Sequence, residues 1–139
     1  MTLPIRILIV DDNPTFVAAV RQFLDFLPGA DIVGHARSAE DALASARLLK
    51  PDLVLIDAEI PGMHGLAVAR EMRSWDAPPE AMLFSMHDVS AYASAARAMG
   101  VLGLASKSDF VSELLPAIEA LAIGVNRSGG LGHAPRLPA

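Results

Sequence analysis

Cysteine is absent from the chain, which excludes disulfide bonds and thiolate metal sites. Long apolar runs are also lacking. The longest are short segments such as residues 7–10, far below the roughly 20 residues that a membrane-spanning helix requires. The first residues lack the basic region, the apolar stretch and the small-residue cleavage site of a secretory signal peptide. We therefore expect a soluble, cytoplasmic protein with no membrane partner.

The chain also has fewer positively charged than negatively charged residues. The chain has 11 lysines and arginines against 16 aspartates and glutamates, a net charge of -5. Nucleic-acid binding depends on a basic face that neutralises phosphates. We therefore expect this chain not to bind nucleic acid by itself, so that any link to DNA would come from a partner or a further domain.

Hydrophobic residues, in contrast, make up 53% of the 139 residues, enough for the core of one domain. Short apolar runs alternate with helical patterns, which predicts an α/β fold with a parallel sheet and helices on both faces. Beyond residue 124, glycine, proline and polar residues dominate. We expect a domain over 1–124 and a flexible tail or truncated linker over 125–139. The predicted strands cover 5–10, 31–36, 53–56, 82–84 and 101–105, and the predicted helices cover about 14–27, 38–49, 66–75, 89–99 and 108–123.

Polar side chains stand where four of these strands end. Asp11 and Asp12 follow the first strand, Asp57 the third, Ser85 the fourth and Lys107 the fifth. The carboxyl ends of parallel strands lie at one edge of the sheet, where ligands bind in open α/β folds. The pattern therefore predicts that these five side chains share one site.

These residue types suit phosphoryl transfer. Three carboxylates about 4 Å apart would repel one another by a few kcal/mol per pair at an effective dielectric near 20, so the cluster needs a proton or a cation. Oxygen ligands without His or Cys favour Mg²⁺. A carboxylate such as Asp57 can attack phosphorus, while Lys107 and Ser85 can hold the oxygens of the transferring group.

The motifs around these residues resemble response-regulator receiver domains of two-component signalling, over about residues 3–124. The similarity is greatest to the branch that usually precedes a LuxR-type helix-turn-helix domain. Two segments favour this branch, Gly34-His35-Ala36 and Ser85-Met86-His87-Asp88. The matching segments are Ile-Leu-Ile-Val-Asp11-Asp12, Leu-Ile-Asp57-Ala-Glu59-Ile-Pro61-Gly-Met-His-Gly65, Leu-Phe-Ser85-Met-His-Asp and Gly-Leu-Ala-Ser-Lys107.

The resemblance implies a flavodoxin-like (βα)5 doubly wound parallel sheet in the order 2-1-3-4-5. It also implies transfer of a phosphoryl group to Asp57 from a sensor histidine kinase or a phosphotransfer protein, with a homodimer as one expected assembly. Ser85 and Lys107 would bind the phosphoryl oxygens. Mg²⁺ would be held by Asp12 directly, by Asp11 through water, by Asp57 and by the backbone carbonyl of Glu59.

The chain departs from the family pattern at two places. Leu104 stands where the family usually has tyrosine or phenylalanine, a ring that moves when the Ser or Thr hydroxyl moves toward the phosphate. Pro116 falls inside the last predicted helix, where we expect a kink or a start near Ser112. By resemblance, Glu59 and His87 flank the path of the attacking water, and we hypothesise that they set the dephosphorylation rate.

Three alternatives remain open. The chain could be a pseudo-receiver that binds partners without phosphorylation, or the regulatory half of a LuxR-type transcription factor whose DNA-binding domain is not included here. A third alternative is a phosphatase with an aspartyl nucleophile, although the Asp-x-Asp arrangement expected on the first strand is missing. His35, His64 and His133 have no ligand partners at useful spacing and are interpreted as structural or surface residues, and Trp75 and Tyr92 as packing or edge residues.

Overall fold

The computed structural model describes residues 4–86 and 89–128. Strands and helices alternate along the described chain, with two short 3-10 helices, one before α4 and one before α5. The elements are β1 (Ile5–Val10), α1 (Pro14–Asp25), β2 (Ala30–Ala36), α2 (Ala39–Leu49), β3 (Leu53–Asp57), α3 (Gly65–Arg73), β4 (Glu80–Ser85), a 3-10 helix (Val89–Tyr92), α4 (Ala93–Met99), β5 (Gly103–Ser106), a second 3-10 helix (Lys107–Asp109) and α5 (Phe110–Ser128).

The five strands form one parallel sheet in the order β2-β1-β3-β4-β5. The predicted flavodoxin-like architecture and strand order are therefore confirmed. β1 and β3 lie in the middle of the sheet, and the order reverses direction between them. This is the position at which ligands bind in doubly wound folds.

Strands β1, β3 and β4 bury both of their faces, which explains why they are nearly continuous apolar runs rather than alternating ones. Helices α1 and α5 cover one face, through side chains such as Val20 and Leu114, which pack with Ile7 of β1. Helices α2, α3 and α4 cover the other face, where Val68 and Ala96 pack with Leu8. The loops at the carboxyl ends of the strands are therefore held between two closed layers.

The first two helices begin as their sequences predict. The side-chain oxygen of Asn13 accepts hydrogen bonds from the backbone N–H groups of Thr15 and Phe16 at 2.9 and 3.2 Å, and Pro14 follows at the first helical position. Ser38 caps α2 by accepting from Asp41 N–H at 3.2 Å.

Several boundaries differ from the prediction. The single helix expected over 89–99 is divided, because the chain first forms a 3-10 turn that ends at Tyr92. β5 begins at Gly103 rather than at residue 101, since Val101 and Leu102 bond to Ala96 and Ala81 as a connection out of α4. These are tertiary effects that residue propensity does not report.

Helix α5 begins at Phe110, so the expected start near Ser112 is wrong, and it runs to Ser128, past the predicted end at 123. Pro116 lies inside the helix and removes the N–H that would bond to the carbonyl of Ser112. Both residues are exposed, so water can bond to that carbonyl. Residues 129–139, which include His133 and most of the predicted tail, lie outside the described residues.

No helix in the described part of the chain combines the length and the hydropathy that a membrane-spanning segment requires.

Gly65 fixes the close approach of α3 to the end of β3. A Cβ at this position would lie 2.5 Å from the carbonyl oxygen of Asp57 and 2.8 Å from the Cα of Ala58. Both are backbone atoms that cannot turn away, whereas the Gly65 N–H donates to the Ala58 carbonyl at 2.8 Å. A residue without a side chain is therefore required here for the loop after Asp57 to fold back.

We predict that Gly65→Ala lowers the free energy of unfolding by about 1–3 kcal/mol, the usual cost of forcing an extra methyl group into a packed site. Urea denaturation checks this value. Gly29→Ala is the matched control, because a Cβ there meets no atom within 4 Å and the substitution should be neutral or slightly stabilising. Equal stabilities of the two variants would contradict the steric argument.

Candidate functional site at the carboxyl edge of the sheet

The register of the sheet brings the strand ends together. Val10 pairs with Ile56, and Asp57 pairs with Phe84, so that Asp11, Asp57 and Ser85 end neighbouring strands at one level. Ser85 in turn pairs with Ser106, the residue before Lys107. These residues therefore lie together at one edge of the sheet, as the sequence predicted.

The Lys107 ammonium joins two of the carboxylates. Its Nζ lies 2.8 Å from Oδ2 of Asp11 and 3.3 Å from Oδ2 of Asp57. All three side chains are buried, with side-chain exposures of 4%, 1% and 6% for Lys107, Asp11 and Asp57. The same ammonium lies 4.8 Å from the centre of the Phe16 ring, a cation–π contact from the first turn of α1. The Lys107 ammonium is therefore held by the two carboxylates on one side and by the Phe16 ring on the other.

Asp57 is held at the end of β3 by the turn that follows it. Its Oδ1 accepts a hydrogen bond from the Glu59 N–H at 3.0 Å, and the next residue, Ala58, still bonds to the Phe84 carbonyl of β4 at 2.8 Å. One carboxylate oxygen therefore faces backbone and the other faces the ammonium. This arrangement fixes the orientation of the carboxylate.

Asp11 is the most deeply buried of the three carboxylates. Its Oδ1 accepts from the Asn13 N–H at 2.8 Å, and its backbone carbonyl lies 2.9 Å from Nε2 of His35 on β2. Burial raises the pKa of the Asp11 carboxyl, against the opposing effect of the hydrogen bonds from Lys107 and Asn13. His35, predicted to be structural, bonds to the loop that carries the acidic pair.

Asp12 completes a group of three carboxylates. Oxygens of Asp11, Asp12 and Asp57 all lie within 4.8 Å of one another, and Asp12 is exposed to solvent. Two ligands on opposite sides of Mg²⁺ are about 4 Å apart, so small side-chain movements would let these oxygens share one ion. The donor set contains only oxygen, and it therefore fits a hard divalent cation with water as additional ligands.

Ser85 is fully buried, and its hydroxyl faces Glu59. The Oγ lies 3.1 and 3.0 Å from the two carboxylate oxygens of Glu59. The sequence analysis assigned Ser85 to phosphoryl oxygens, and Glu59 to a backbone contact with Mg²⁺ and to the dephosphorylation rate. Neither assignment predicts this side-chain contact. The glutamate carboxylate therefore accepts a hydrogen bond from the hydroxyl that the sequence analysis assigned to a phosphoryl oxygen.

Tyr92 and His64 lie near this contact, and the sequence had marked both only as structural, surface, packing or edge residues. The pKa of the Tyr92 hydroxyl is raised by desolvation and by the negative charge of Glu59. Its ring lies 4.8 Å from the His64 ring at 54°. Nδ1 of His64 accepts from the Leu66 N–H at 3.1 Å as the N-cap of α3. No sequence motif marks Tyr92, because its position depends on the 3-10 turn.

Two further predicted positions have different outcomes. Leu104, which replaces the usual aromatic residue, is partly buried against the cluster formed by α2, α3 and α4. His87, expected with Glu59 to affect dephosphorylation, lies outside the residues that the structure describes. The side chain of Met86, the residue before His87, is 65% exposed to solvent and is therefore not packed into the core.

Comparison with known proteins is consistent with this geometry. The family model for the response regulator receiver domain matches residues 7–119. The nitrate/nitrite response regulator protein NarL of Escherichia coli K12 is 31% identical over 121 residues, which are 87% of this chain and 56% of that protein. The chain therefore spans little more than half the length of such curated relatives.

Two solved structures are also similar. A two-component response regulator of the LuxR family from Aurantimonas sp. SI85-9A1 is 36% identical, with a TM-score of 0.78 over 87% of this chain and 86% of that one. The signal receiver domain of NarL from Mycobacterium tuberculosis is 31% identical, with a TM-score of 0.79 over 88% of this chain and 98% of that one.

The family match spans most of the sheet and the helices and includes the strand-end residues, and the three relatives named above are of the NarL or LuxR type. The chain belongs to the response regulator receiver domain family.

Proposed function

We propose that this receiver domain accepts a phosphoryl group on Asp57 in a Mg²⁺-dependent reaction, from the phosphohistidine of a sensor histidine kinase or a phosphotransfer protein in the cytoplasm. The observation that carries the proposal is the pair of contacts from Lys107, at 2.8 Å to Asp11 and 3.3 Å to Asp57. A buried aspartate whose ionised form is stabilised by an ammonium is a suitable nucleophile.

In the proposed reaction an Asp57 carboxylate oxygen attacks phosphorus, and a P–O bond forms as the P–N bond to the donor histidine breaks. The electron pair of the broken bond stays on the histidine ring nitrogen. The product is an acyl phosphate on Asp57. Its formation needs no acid or base from the chain. The residues of the site therefore position groups and balance charge, as is usual for phosphoryl transfer.

Three oxygens of the phosphoryl group carry the developing charge. Lys107 provides one cation for them, since its ammonium already contacts Asp57 and sits on a flexible stem. Ser85 provides a hydroxyl donor once its present contact with Glu59 is exchanged. Asp11, Asp12, Asp57 and the Glu59 carbonyl would hold Mg²⁺, which supplies charge stabilisation for the phosphoryl oxygens when bound.

The signal would end by hydrolysis. A water oxygen attacks phosphorus, the P–O bond to Asp57 breaks, and the products are the free carboxylate and inorganic phosphate. We propose that Glu59 and His87 tune this rate. The position of the Glu59 carboxylate beside Ser85, at the edge that water must cross, supports this role for Glu59.

The phosphorylated chain would act as a switch for a downstream output, with residues 1–124 as the receiver and 125–139 as a tail or linker, and with a homodimer as one form of the active state. Control of transcription through a DNA-binding domain is a second candidate for the output. It is favoured by the NarL relative, of which the chain spans 56%. The open reading frame decides between this and a stand-alone receiver.

Acetyl phosphate with Mg²⁺ should add one phosphoryl group to the chain, and hydroxylamine should remove it because acyl phosphates react with that nucleophile. Intact-protein mass spectrometry measures both steps. Asp57→Asn should show no added group, since an amide is not a nucleophile of this kind.

The matched control is Asp76→Asn, an exposed aspartate in the loop before β4, at the opposite edge of the sheet. It should be modified as fully as the natural chain. A modification that persists in Asp57→Asn would show that another residue is the acceptor, and no modification of the natural chain would favour the pseudo-receiver.

Mg²⁺ should raise the melting temperature, because it binds a cluster of three carboxylates that exists only in the folded chain. At ten times the dissociation constant, linkage gives about 1.4 kcal/mol, or about 3–6 °C for a domain of this size. Differential scanning calorimetry with and without Mg²⁺ measures the shift.

Asp12→Asn should remove most of this response and slightly stabilise the metal-free chain, since one of three like charges is lost. Asp76→Asn should keep the full response. The metal assignment is wrong if the natural chain melts at the same temperature with saturating Mg²⁺ as without it.

A further inference from the structure

We propose that His35 is a positioning residue for the Mg²⁺ site, because its imidazole holds the backbone of the turn that carries Asp11 and Asp12. The inference rests on the metal site of the proposed function and adds to it a residue of the edge strand β2. Its basis is a contact in which Nε2 of His35 lies 2.9 Å from the backbone carbonyl oxygen of Asp11. A carbonyl oxygen can only accept a hydrogen bond, so Nε2 carries the hydrogen and donates it.

The contact lies where the backbone pairing of β1 with β2 ends. The last pair of residues is Val10 with Ala36, and the Asp11 N–H still donates to the Ala36 carbonyl at 3.0 Å. Strand β2 ends at Ala36, and the Asp11 carbonyl bonds to a side chain of that strand instead of to its backbone. Both backbone polar groups of Asp11 are therefore tied to β2, and His35 provides the second of these bonds.

A register shift in the sheet directs His35 to the face on which this bond can form. One residue of β2 is skipped between the pairs made by Ile7 and Leu8, and after the shift Ile9 pairs with His35. Ile9 packs in the cluster covered by α1 and α5, and paired residues of neighbouring strands point to the same face. Without the shift, the alternation of side chains would turn His35 toward α2. The bulge therefore brings the imidazole to the side on which α1 begins.

The bond from His35 fixes the backbone on one side of Asp12. The Asp11 carbonyl belongs to the peptide group between Asp11 and Asp12, which is planar and rotates as one unit. The next peptide group is held through the Asn13 N–H, which donates to Oδ1 of Asp11 at 2.8 Å. Each peptide group that flanks Asp12 is thus held by a hydrogen bond. The backbone of this exposed residue is therefore fixed, although its side chain is not packed.

This constraint favours metal binding because Mg²⁺ requires a nearly ideal octahedral arrangement of its ligands. Oxygens of Asp11, Asp12 and Asp57 already lie within 4.8 Å of one another. If the Asp11 carbonyl were released, the peptide group could rotate and Asp12 would sample more positions. Binding of the ion would then have to order the turn again, at a cost in affinity. His35 therefore acts on the metal site through the turn, and not as a ligand.

A purely structural role for His35 is the alternative. The imidazole would then only satisfy a carbonyl at the end of a strand, and its loss would lower the free energy of unfolding without a change in metal affinity. The positioning role, in contrast, predicts a change in the dissociation constant for Mg²⁺ of the folded chain. Metal affinity, measured apart from stability, therefore separates the two roles.

The test measures the dissociation constant for Mg²⁺ by isothermal titration calorimetry at about pH 8, above the usual titration range of imidazole. His35→Phe keeps a ring and removes the donor, and it should weaken Mg²⁺ binding about tenfold, as is usual when a group that holds a metal ligand is lost. His35→Gln offers an amide N–H in place of Nε2 and should bind nearly as well as the natural chain. Asp31→Asn, at an exposed position near the amino end of β2, is the matched control and should leave the affinity unchanged.

A second measurement uses the metal-free natural chain. Long-range ¹H–¹⁵N correlation of the His35 ring at the same pH should show the tautomer with its hydrogen on Nε2, because the carbonyl of Asp11 accepts from that atom. This measurement does not depend on the folding of any variant. His35→Leu also lacks the donor and replaces His35→Phe in the titration if the phenylalanine variant does not fold.

The outcomes distinguish this inference from the proposed function. If Mg²⁺ does not bind to the natural chain, the metal site fails and the positioning role fails with it. If Mg²⁺ binds and the variant without a donor has the same affinity as the natural chain, the receiver function stands and the positioning role is overturned. The same conclusion follows if His35→Gln binds as weakly as His35→Phe, or if the hydrogen of the imidazole is found on Nδ1.

Discussion

The Lys107 ammonium between Asp11 and Asp57 is the interaction on which the carboxyl edge of the sheet depends. Two buried carboxylates without a cation would be costly to fold, since burial penalises ionised groups and like charges repel. The contacts at 2.8 and 3.3 Å compensate both charges with one lysine. They also connect the chain beyond β5 with the ends of β1 and β3, although β5 is not a neighbour of either strand. Breaking such a pair costs about 3–5 kcal/mol in a buried setting.

The contacts that balance the buried charges also fix the surroundings of both Asp57 carboxylate oxygens. Asp57 has one oxygen on a backbone N–H and the other on the Lys107 ammonium, which lies farther from Asp57, at 3.3 Å, than from Asp11, at 2.8 Å. A lysine side chain can follow negative charge over a short distance because its stem is flexible. A group added to Asp57 would therefore meet a cation already in place. The Phe16 ring limits that movement from the other side, at 4.8 Å from the ammonium.

The sequence allowed the sheet and most of the site to be predicted, for a simple reason. Short apolar runs that end one or two residues before Asp11, Asp57 or Lys107 specify where strands end, and a parallel topology then places those ends together. The start of β5 could not be predicted, because it depends on the bond from the Leu102 N–H to the distant carbonyl of Ala81. The 3-10 turn that divides the fourth helix has no sequence signal that separates it from an α-helical turn. The contact of Glu59 with Ser85 depends on a side-chain rotamer, which no spacing reports.

Glu59 shows how one turn connects two strand ends. Its backbone N–H donates to Oδ1 of Asp57 at 3.0 Å, and its carboxylate oxygens lie 3.1 and 3.0 Å from the hydroxyl of Ser85. The turn after β3 therefore contacts the last residues of both β3 and β4. Because the acceptor is charged, the bond from Ser85 is stronger than one between neutral groups, and it fixes the rotamer of a buried hydroxyl from an exposed residue.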